Sequence, residues 1–324
     1  MIITRTPYRV SLFGGGTDYP SWYKEHGGSV LTSTIDRYCY LSVRYMPAFL
    51  GFKYNACWSK MERVNSLDDL IHSGIRGCLQ YMGVDEGFEV NHAGDLPARS
   101  GLGSSSAFTV GMLHALHALQ GRHVSKARLA REAIEVEQVV LKETVGIQDQ
   151  IQCAHGGFNH IEIHRDGSYT VSPVIIHAGR KAALENRLML FFTGIQRSSS
   201  EISAAQVSNI ERKGDELKAI QSLVPRALDA VTNGELDDVG SLLHETWMLK
   251  RGLSDKVTNN EIDRLYDSAR AAGAIGGKLL GAGSGGFFLF YVPEDRQASV
   301  REAMNGLLDI PFKFENGGSQ IVLS

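Results

Sequence analysis

The stretch Leu96-Pro-Ala-Arg-Ser-Gly-Leu-Gly-Ser-Ser-Ser-Ala107 carries the residues best suited to chemistry on an anion. Gly101 and Gly103 have no Cβ, so the backbone there can approach a ligand closely. Ser104, Ser105 and Ser106 fall in the first turn of a strongly patterned helix. Free N–H groups and the positive end of the helix dipole meet in that turn, which suits a polyphosphate. The serine hydroxyls add donors, and one of them can ligate Mg2+. A serine-capped helix after a flexible loop fits the same residues. Competing motifs fail. A Walker loop is missing, because Gly277-Lys278 is followed by Leu279 and position 272 is alanine. GxGxxG fails because Ser106 takes the third glycine's place, and the hydrolase elbow GxSxG fails because Gly103–Ala107 lacks the final glycine.

Two further glycine loops flank this one. Gly14-Gly15-Gly16-Thr17-Asp18-Tyr19 follows a strand over Arg9–Phe13 and leaves Asp18 able to accept hydrogen bonds from hydroxyls. A glycine turn with Asp18 capping the next helix is the alternative. The third loop, Lys278-Leu-Leu-Gly-Ala-Gly-Ser-Gly-Gly-Phe287, is expected between a helix and a strand and holds more glycine than an ordinary turn needs.

These loops need elements to position them. Strand patterns cover Tyr8–Phe13, Gly28–Ile35, Tyr38–Tyr45 and Phe88–His92, and a hairpin turns at Asp166-Gly167 between Phe158–His164 and Tyr169–Val174. Helical patterns cover Ser104–Leu119, stopping at Gly121, and Ser125–Lys142, opening on a serine cap. After a joint near Arg180–Asn186 come a strand at Arg187–Thr193 and helices near Glu201–Ser222, Val224–Val231, Val239–Lys250 and Asn259–Ala271. Strands at Phe287–Val292 and Phe312–Phe314 end the series. Strands and helices are partly segregated, which favours α+β over a doubly wound sheet.

Composition narrows the partners. The 324 residues include 33 Lys and Arg against 36 Asp and Glu, a net charge of −3, which argues against nucleic acid. Cys39, Cys57, Cys78 and Cys153 form no ligand pattern and read as thiols of a reducing compartment. No apolar run approaches a membrane span, so a cytoplasmic protein is expected.

The three loops in this order resemble the GHMP kinases, the superfamily of galactokinase, homoserine kinase, mevalonate kinase and phosphomevalonate kinase. Pro7–Asp18 matches the first family motif, and Pro97–Ala107 matches P-x-x-x-G-L-G-S-S-x-A at every defined position. Gly281–Gly286 matches the third, so the resemblance spans nearly the whole chain. It implies a two-lobed α+β fold. Residues 1–183 would form an ATP-binding domain with a left-handed βαβ unit, and residues 184–324 a ferredoxin-like α/β plait. It also implies ATP as phosphoryl donor, contacted by Pro97, Gly101, Leu102, Gly103, Ser104, Ser105 and Ser106, with Mg2+ on Glu137 and Ser105. Glu135 is the fallback carboxylate. Asp149, within Gly146-Ile-Gln-Asp-Gln150, would be the general base, and Arg9 would steady the developing charge. A helix-cap role for Asp149 and a surface role for either glutamate are the alternatives.

On the acceptor side, Asp18 matches the sugar-binding aspartate of galactokinase-like members, with Gly15, Gly16, Thr17 and Gly283 around the substrate. Gly15-Gly16 stand where galactokinases carry Glu-His, a departure that speaks against galactose. The runs Gly14–Tyr23, His26–Ser29, Thr34–Arg37 and Phe192–Arg197 resemble the D-glycero-D-manno-heptose 7-phosphate 1-kinase branch. That implies phosphorylation of the anomeric hydroxyl to the 1,7-bisphosphate, en route to GDP-heptose for bacterial surface polysaccharide. Arg197, followed by three serines, is the first candidate for the sugar's own phosphate, with Lys24, His26 and Arg44 behind it. The partners implied are ATP and a small phosphorylated sugar, with a homodimer as the assembly considered. Three alternatives stay open at this point: a 1-kinase for an unphosphorylated hexose such as fucose, a non-catalytic sensor on the same fold, and a serine hydrolase using Ser105 and His92.

Overall fold

The structure, a computed structural model, describes residues 1–195, 199–210 and 212–324. Its larger sheet has nine strands and is organised by one very long one. Strand β1 (Ile2–Phe13) pairs antiparallel along β2 (Gly28–Tyr45) from Ile2 against Val43 to Phe13 against Leu31. The sequence pattern divides β2 at Asp36-Arg37. The strand continues instead because the chain's end satisfies the polar break: Lys313 N donates to Asp36 Oδ1 at 2.8 Å and Asp36 N to Lys313 O at 3.0 Å.

Beyond β2, the sheet adds β3 (Tyr54–Cys57), β4 (Met61–Val64), β5 (Phe88–Gly94), β6 (Phe158–Ile163) and β7 (Tyr169–Pro173). β6 and β7 form the expected hairpin. β3 and β5 are parallel, joined through a crossover that contains a helix at Ser73–Tyr81, the connection a βαβ unit requires.

The helices of this half follow as α1 (Pro20–His26), α2 (Ser73–Tyr81), α3 (Ser104–Leu119), α4 (Lys126–Glu135), α5 (Gln148–His155) and α6 (Ala178–Asn186). α3 keeps its expected bounds and is apolar on nearly every side, because sheet and helices surround it. The helix expected over Ser125–Lys142 passes at Val136–Val140 into a π-helical turn, a feature frequent at functional sites.

Residues 188–309 build a second, four-stranded antiparallel sheet from β8 (Leu188–Phe192), β9 (Gly276–Leu279), β10 (Phe287–Tyr291) and β11 (Leu308–Asp309). Its spatial order is β11-β8-β10-β9, the order 4-1-3-2 of a ferredoxin-like plait. The third glycine loop therefore joins two strands, β9 and β10, where a helix and a strand were expected. Both faces of β10 are covered, which explains its unbroken Phe-Phe-Leu-Phe-Tyr run. Phe287, Leu289 and Tyr291 enter the core shared with the larger sheet, while Phe288 and Phe290 enter a second core with Trp247, Ile262 and Tyr266.

Four helices accompany this sheet ahead of its last strand: α7 (Ser199–Asn209), α8 (Gly214–Thr232), α9 (Leu236–Arg251) and α10 (Asn260–Ala271). A fifth, α11 (Gln297–Ala303), lies between β10 and β11. The break expected near Leu223 falls near Ile210 instead, and Pro225 lies inside α8. The chain then returns home. β12 (Phe314–Glu315) pairs with β2, and β13 (Gln320–Leu323) pairs with β1, so a second domain drawn at 184–324 includes residues whose strand partners lie in the first.

Candidate active site

The second motif forms the entrance to α3. Its N-cap, Gly103, is left-handed at φ 71°, and no side chain caps the helix. The first-turn N–H groups of Ser104–Ser106 are thus left for a ligand. Gly103 also touches the chemistry: a Cβ there would stand 3.2 Å from Asp149 Oδ2 and 3.1 Å from Arg9 Cγ. The third loop closes against the second, because a Cβ on Gly281 would reach 2.4 Å from Gly101 Cα.

Asp149 lies in the first turn of α5, beside β1. Arg9 grips it with both arms, donating from Nε to Oδ1 and from Nη2 to Oδ2, each at 2.7 Å, while Nη1 donates to Gly101 O at 2.6 Å. One guanidinium therefore ties the carboxylate to the phosphate loop. Gln148 Nε2 also donates to Oδ1 at 3.3 Å, so Oδ2 is the oxygen that keeps acceptor capacity for an incoming hydroxyl. Asp18 is buried nearby, accepting from Gly16 N at 3.0 Å and from Gln148 N at 3.3 Å. Tyr19 caps α1, so Asp18 is held for the cavity and not for the helix. Burial, and then the Asp149 charge, push the Asp18 carboxyl above its usual range.

Glu137 occupies the π-helical turn and is fully buried. Its Oε2 accepts from Ser106 Oγ at 3.0 Å and from Gln150 Nε2, while Oε1 has no partner among the described residues. Burial, with the charge of Glu143 adding to it against the Gln150 hydrogen bond, pushes this carboxyl up to about 8. An orphaned carboxylate oxygen beside a serine hydroxyl fits a divalent cation. Among the described residues no group of three or more His, Cys, Asp or Glu could hold a metal alone. The rest of such a shell would come from nucleotide phosphate and water, as Mg2+ prefers.

These groups line one cavity of about 630 Å3. Of the residues expected from sequence, Arg9, Gly15, Gly16, Asp18, Gly101, Gly103, Ser104, Ser105, Ser106, Glu137 and Asp149 stand in its wall. Pro97, Leu102, Thr17 and Gly283 do not. Thr17 is buried, donating to Gly14 O at 2.8 Å and so holding its loop, and Gly283 packs on Val257 while Gly281 and Ala282 take the cavity wall. The hydroxyl that meets Glu137 belongs to Ser106, one residue past the expected Ser105, which is exposed. Glu135 is exposed and accepts from Tyr81 Oη at 2.8 Å, away from the cavity. Arg197 lies outside the described residues.

Sequence reasoning missed two parts of the wall. Trp58, His72 and Phe108 form an aromatic side, with ring centroids 4.9 Å apart for Trp58 and His72 and 4.7 Å for His72 and Phe108, and His92, already named beside Ser105, stands edge-on to Phe108 at 5.3 Å. The other part is Lys250 of α9 and Lys278 of β9. Lys278 opens the third glycine loop, a signal that was in view; Lys250 carried none.

Comparison with known proteins agrees with this geometry. Residues 69–157 match the GHMP kinases N terminal domain, and residues 227–309 match the GHMP kinases C terminal. The chain belongs to the GHMP kinases. It is an ATP-dependent kinase, and its fold is theirs. It is 28% identical over 314 residues to a D-glycero-alpha-D-manno-heptose 7-phosphate kinase of Campylobacter jejuni, covering 94% of this GHMP kinase and 93% of the relative. A galactokinase of Pyrococcus furiosus is 25% identical, with 94% and 92% covered. A solved D-glycero-D-manno-heptose 1-phosphate kinase of Bacteroides thetaiotaomicron superposes with a TM-score of 0.82 at 24% identity, covering 100% of this chain and 99% of that one, which shows the shared fold. Among the described residues no helix is long and apolar enough to cross a membrane.

Proposed function

We propose that this kinase transfers the γ-phosphoryl group of ATP to the anomeric hydroxyl of D-glycero-D-manno-heptose 7-phosphate, giving the 1,7-bisphosphate and ADP on the way to GDP-heptose. The observation that carries this reading is the placement of Asp149, held bidentately by Arg9, against the phosphate loop at Gly103 with Asp18 in the same cavity. In this scheme Asp18 accepts hydrogen bonds from sugar hydroxyls. The attacking hydroxyl gives its proton to Asp149 as its oxygen bonds to the γ-phosphorus and the bond to ADP breaks. The α3 N-terminus cradles the phosphates, and the aromatic side at Trp58 and His72 offers a face for the adenine. Glu137 with Ser106 would hold Mg2+, which neutralises phosphate charge when bound. The heptose assignment is supported by the Campylobacter relative, matched over 93% of its length.

The test is an ADP-release assay over a panel of acceptors, with 31P NMR locating the new phosphate. Turnover of heptose 7-phosphate at its anomeric position is expected. Turnover of fucose or mannose with none of the heptose phosphate would overturn the assignment.

A further inference from the structure

The basic part of the cavity wall is built for an anion that the phosphate loop does not account for. Lys250 is 8% exposed and Lys278 is 2% exposed, and neither forms an ion pair among the described residues. Lys250 Nζ donates to the carbonyls of Leu279 at 2.9 Å and Gly281 at 2.5 Å, which leaves one N–H unused. Lys278 Nζ donates to Leu12 O at 3.0 Å and keeps more donor capacity still. Thr246 lies one turn before Lys250 on the same face of α9, and its buried Oγ1 has no partner among the described residues. All three line the cavity with Arg9, Asp18 and Gly281.

Such an arrangement is costly as it stands. Two ammonium groups are buried near each other without a carboxylate in contact. Burial, and then the charge of Arg9, push Lys250 down to about 7. Burial, then Lys250 and Arg9, push Lys278 well below its usual range, and Asp18 acts the other way. An anion seated among them relieves both the repulsion and the unused donors.

We propose that Thr246, Lys250 and Lys278 form a second anion subsite, distinct from the phosphate loop, that takes the phosphate monoester carried by the acceptor sugar. The choice of acceptor rests on the function proposed above; the subsite itself rests on the buried lysines. The terminal phosphate of the nucleotide has the same chemistry, so the experiment must separate the two sources.

Steady-state kinetics with heptose 7-phosphate and ATP varied in turn make that separation, for wild type, Lys250→Met, Lys250→Arg and Thr246→Val. Loss of one charge-assisted contact should raise KM for the sugar phosphate about 10- to 100-fold in Lys250→Met. KM for ATP should move less than about twofold in that variant. Lys250→Arg should recover part of the loss, and Thr246→Val should cost less than Lys250→Met. If Lys250→Met does not fold, the other two variants carry the same comparison. Independently of activity, inorganic phosphate should raise the Tm of wild type saturated with a non-hydrolysable ATP analogue, and should do so less in Lys250→Met or, failing that, Thr246→Val. A rise in KM for ATP in place of the acceptor, or an equal phosphate response in variant and wild type, overturns the subsite. Failure of wild type to use heptose 7-phosphate overturns the acceptor assignment alone, because the phosphate response still decides the subsite.

Discussion

The acids and the buried lysines of the cavity wall come from different halves of the molecule. Elements packed on the larger sheet supply Asp18, Glu137 and Asp149, together with the arginine that grips Asp149. Elements of the second sheet supply Lys250 and Lys278. The acids differ among themselves in the same way. Asp149 is matched by a guanidinium on both oxygens, whereas Glu137 has only neutral partners and a bare oxygen. A balanced pair fixes geometry; an unbalanced group awaits a charge that the chain itself does not provide. On that contrast, the acids are suited to a metal and a hydroxyl, and the lysines to a second phosphate.

The comparison can be broken first at its balanced pair. Asp149→Asn keeps the shape and removes the proton acceptor, so kcat should fall about 100- to 10,000-fold while KM for ATP changes little. Loss of nucleotide affinity in place of turnover would show Asp149 to be a loop anchor. The next break is at the seam where the two halves meet. Gly281→Ala would drive a Cβ into Gly101 Cα, parting the phosphate loop from the half that holds the lysines, and kcat/KM should drop about 100-fold. An unchanged kcat/KM would mean that the seam plays no part in catalysis.

At the unbalanced acid, Glu137→Gln should weaken the activating effect of Mg2+ by about 10- to 100-fold in half-saturating concentration, and Glu135→Gln should not. Equal effects from the two variants would remove Glu137 from the metal site. The smallest effect expected is on stability. Folded Glu137 holds its proton up to about 8 against an ordinary 4.5, so its contribution is complete below 4.5 and is lost as pH rises towards 8. His72 and His114, pushed down to about 4, tilt stability the other way, so the difference between wild type and Glu137→Gln isolates the carboxyl. Without divalent ions, wild-type Tm should fall relative to the variant between about pH 5 and 8. A flat difference would show that the carboxyl is solvated in solution.

Much of this was legible in sequence because it is local. Three glycine loops, the helix over Ser104–Leu119 and the hairpin at Asp166-Gly167 follow from short-range rules, and the family resemblance supplied Asp149 and Arg9 as partners. The hydroxyl beside Glu137 was one residue off, because helix phase and a π-helical turn together choose which serine points inward. Glu137 and Glu135 part in the same way: one is buried in the cavity wall, the other exposed beside Tyr81.

What sequence alone determined is the class of chemistry, since backbone that must approach phosphate needs glycine and a helix start whatever surrounds it. Only tertiary structure decided where the charges meet. Lys250 lies far along the chain from Asp18 and shows no local pattern. It becomes part of a site because α9 packs on both β9 and β1, in a core that gives a buried cation no solvent to fall back on.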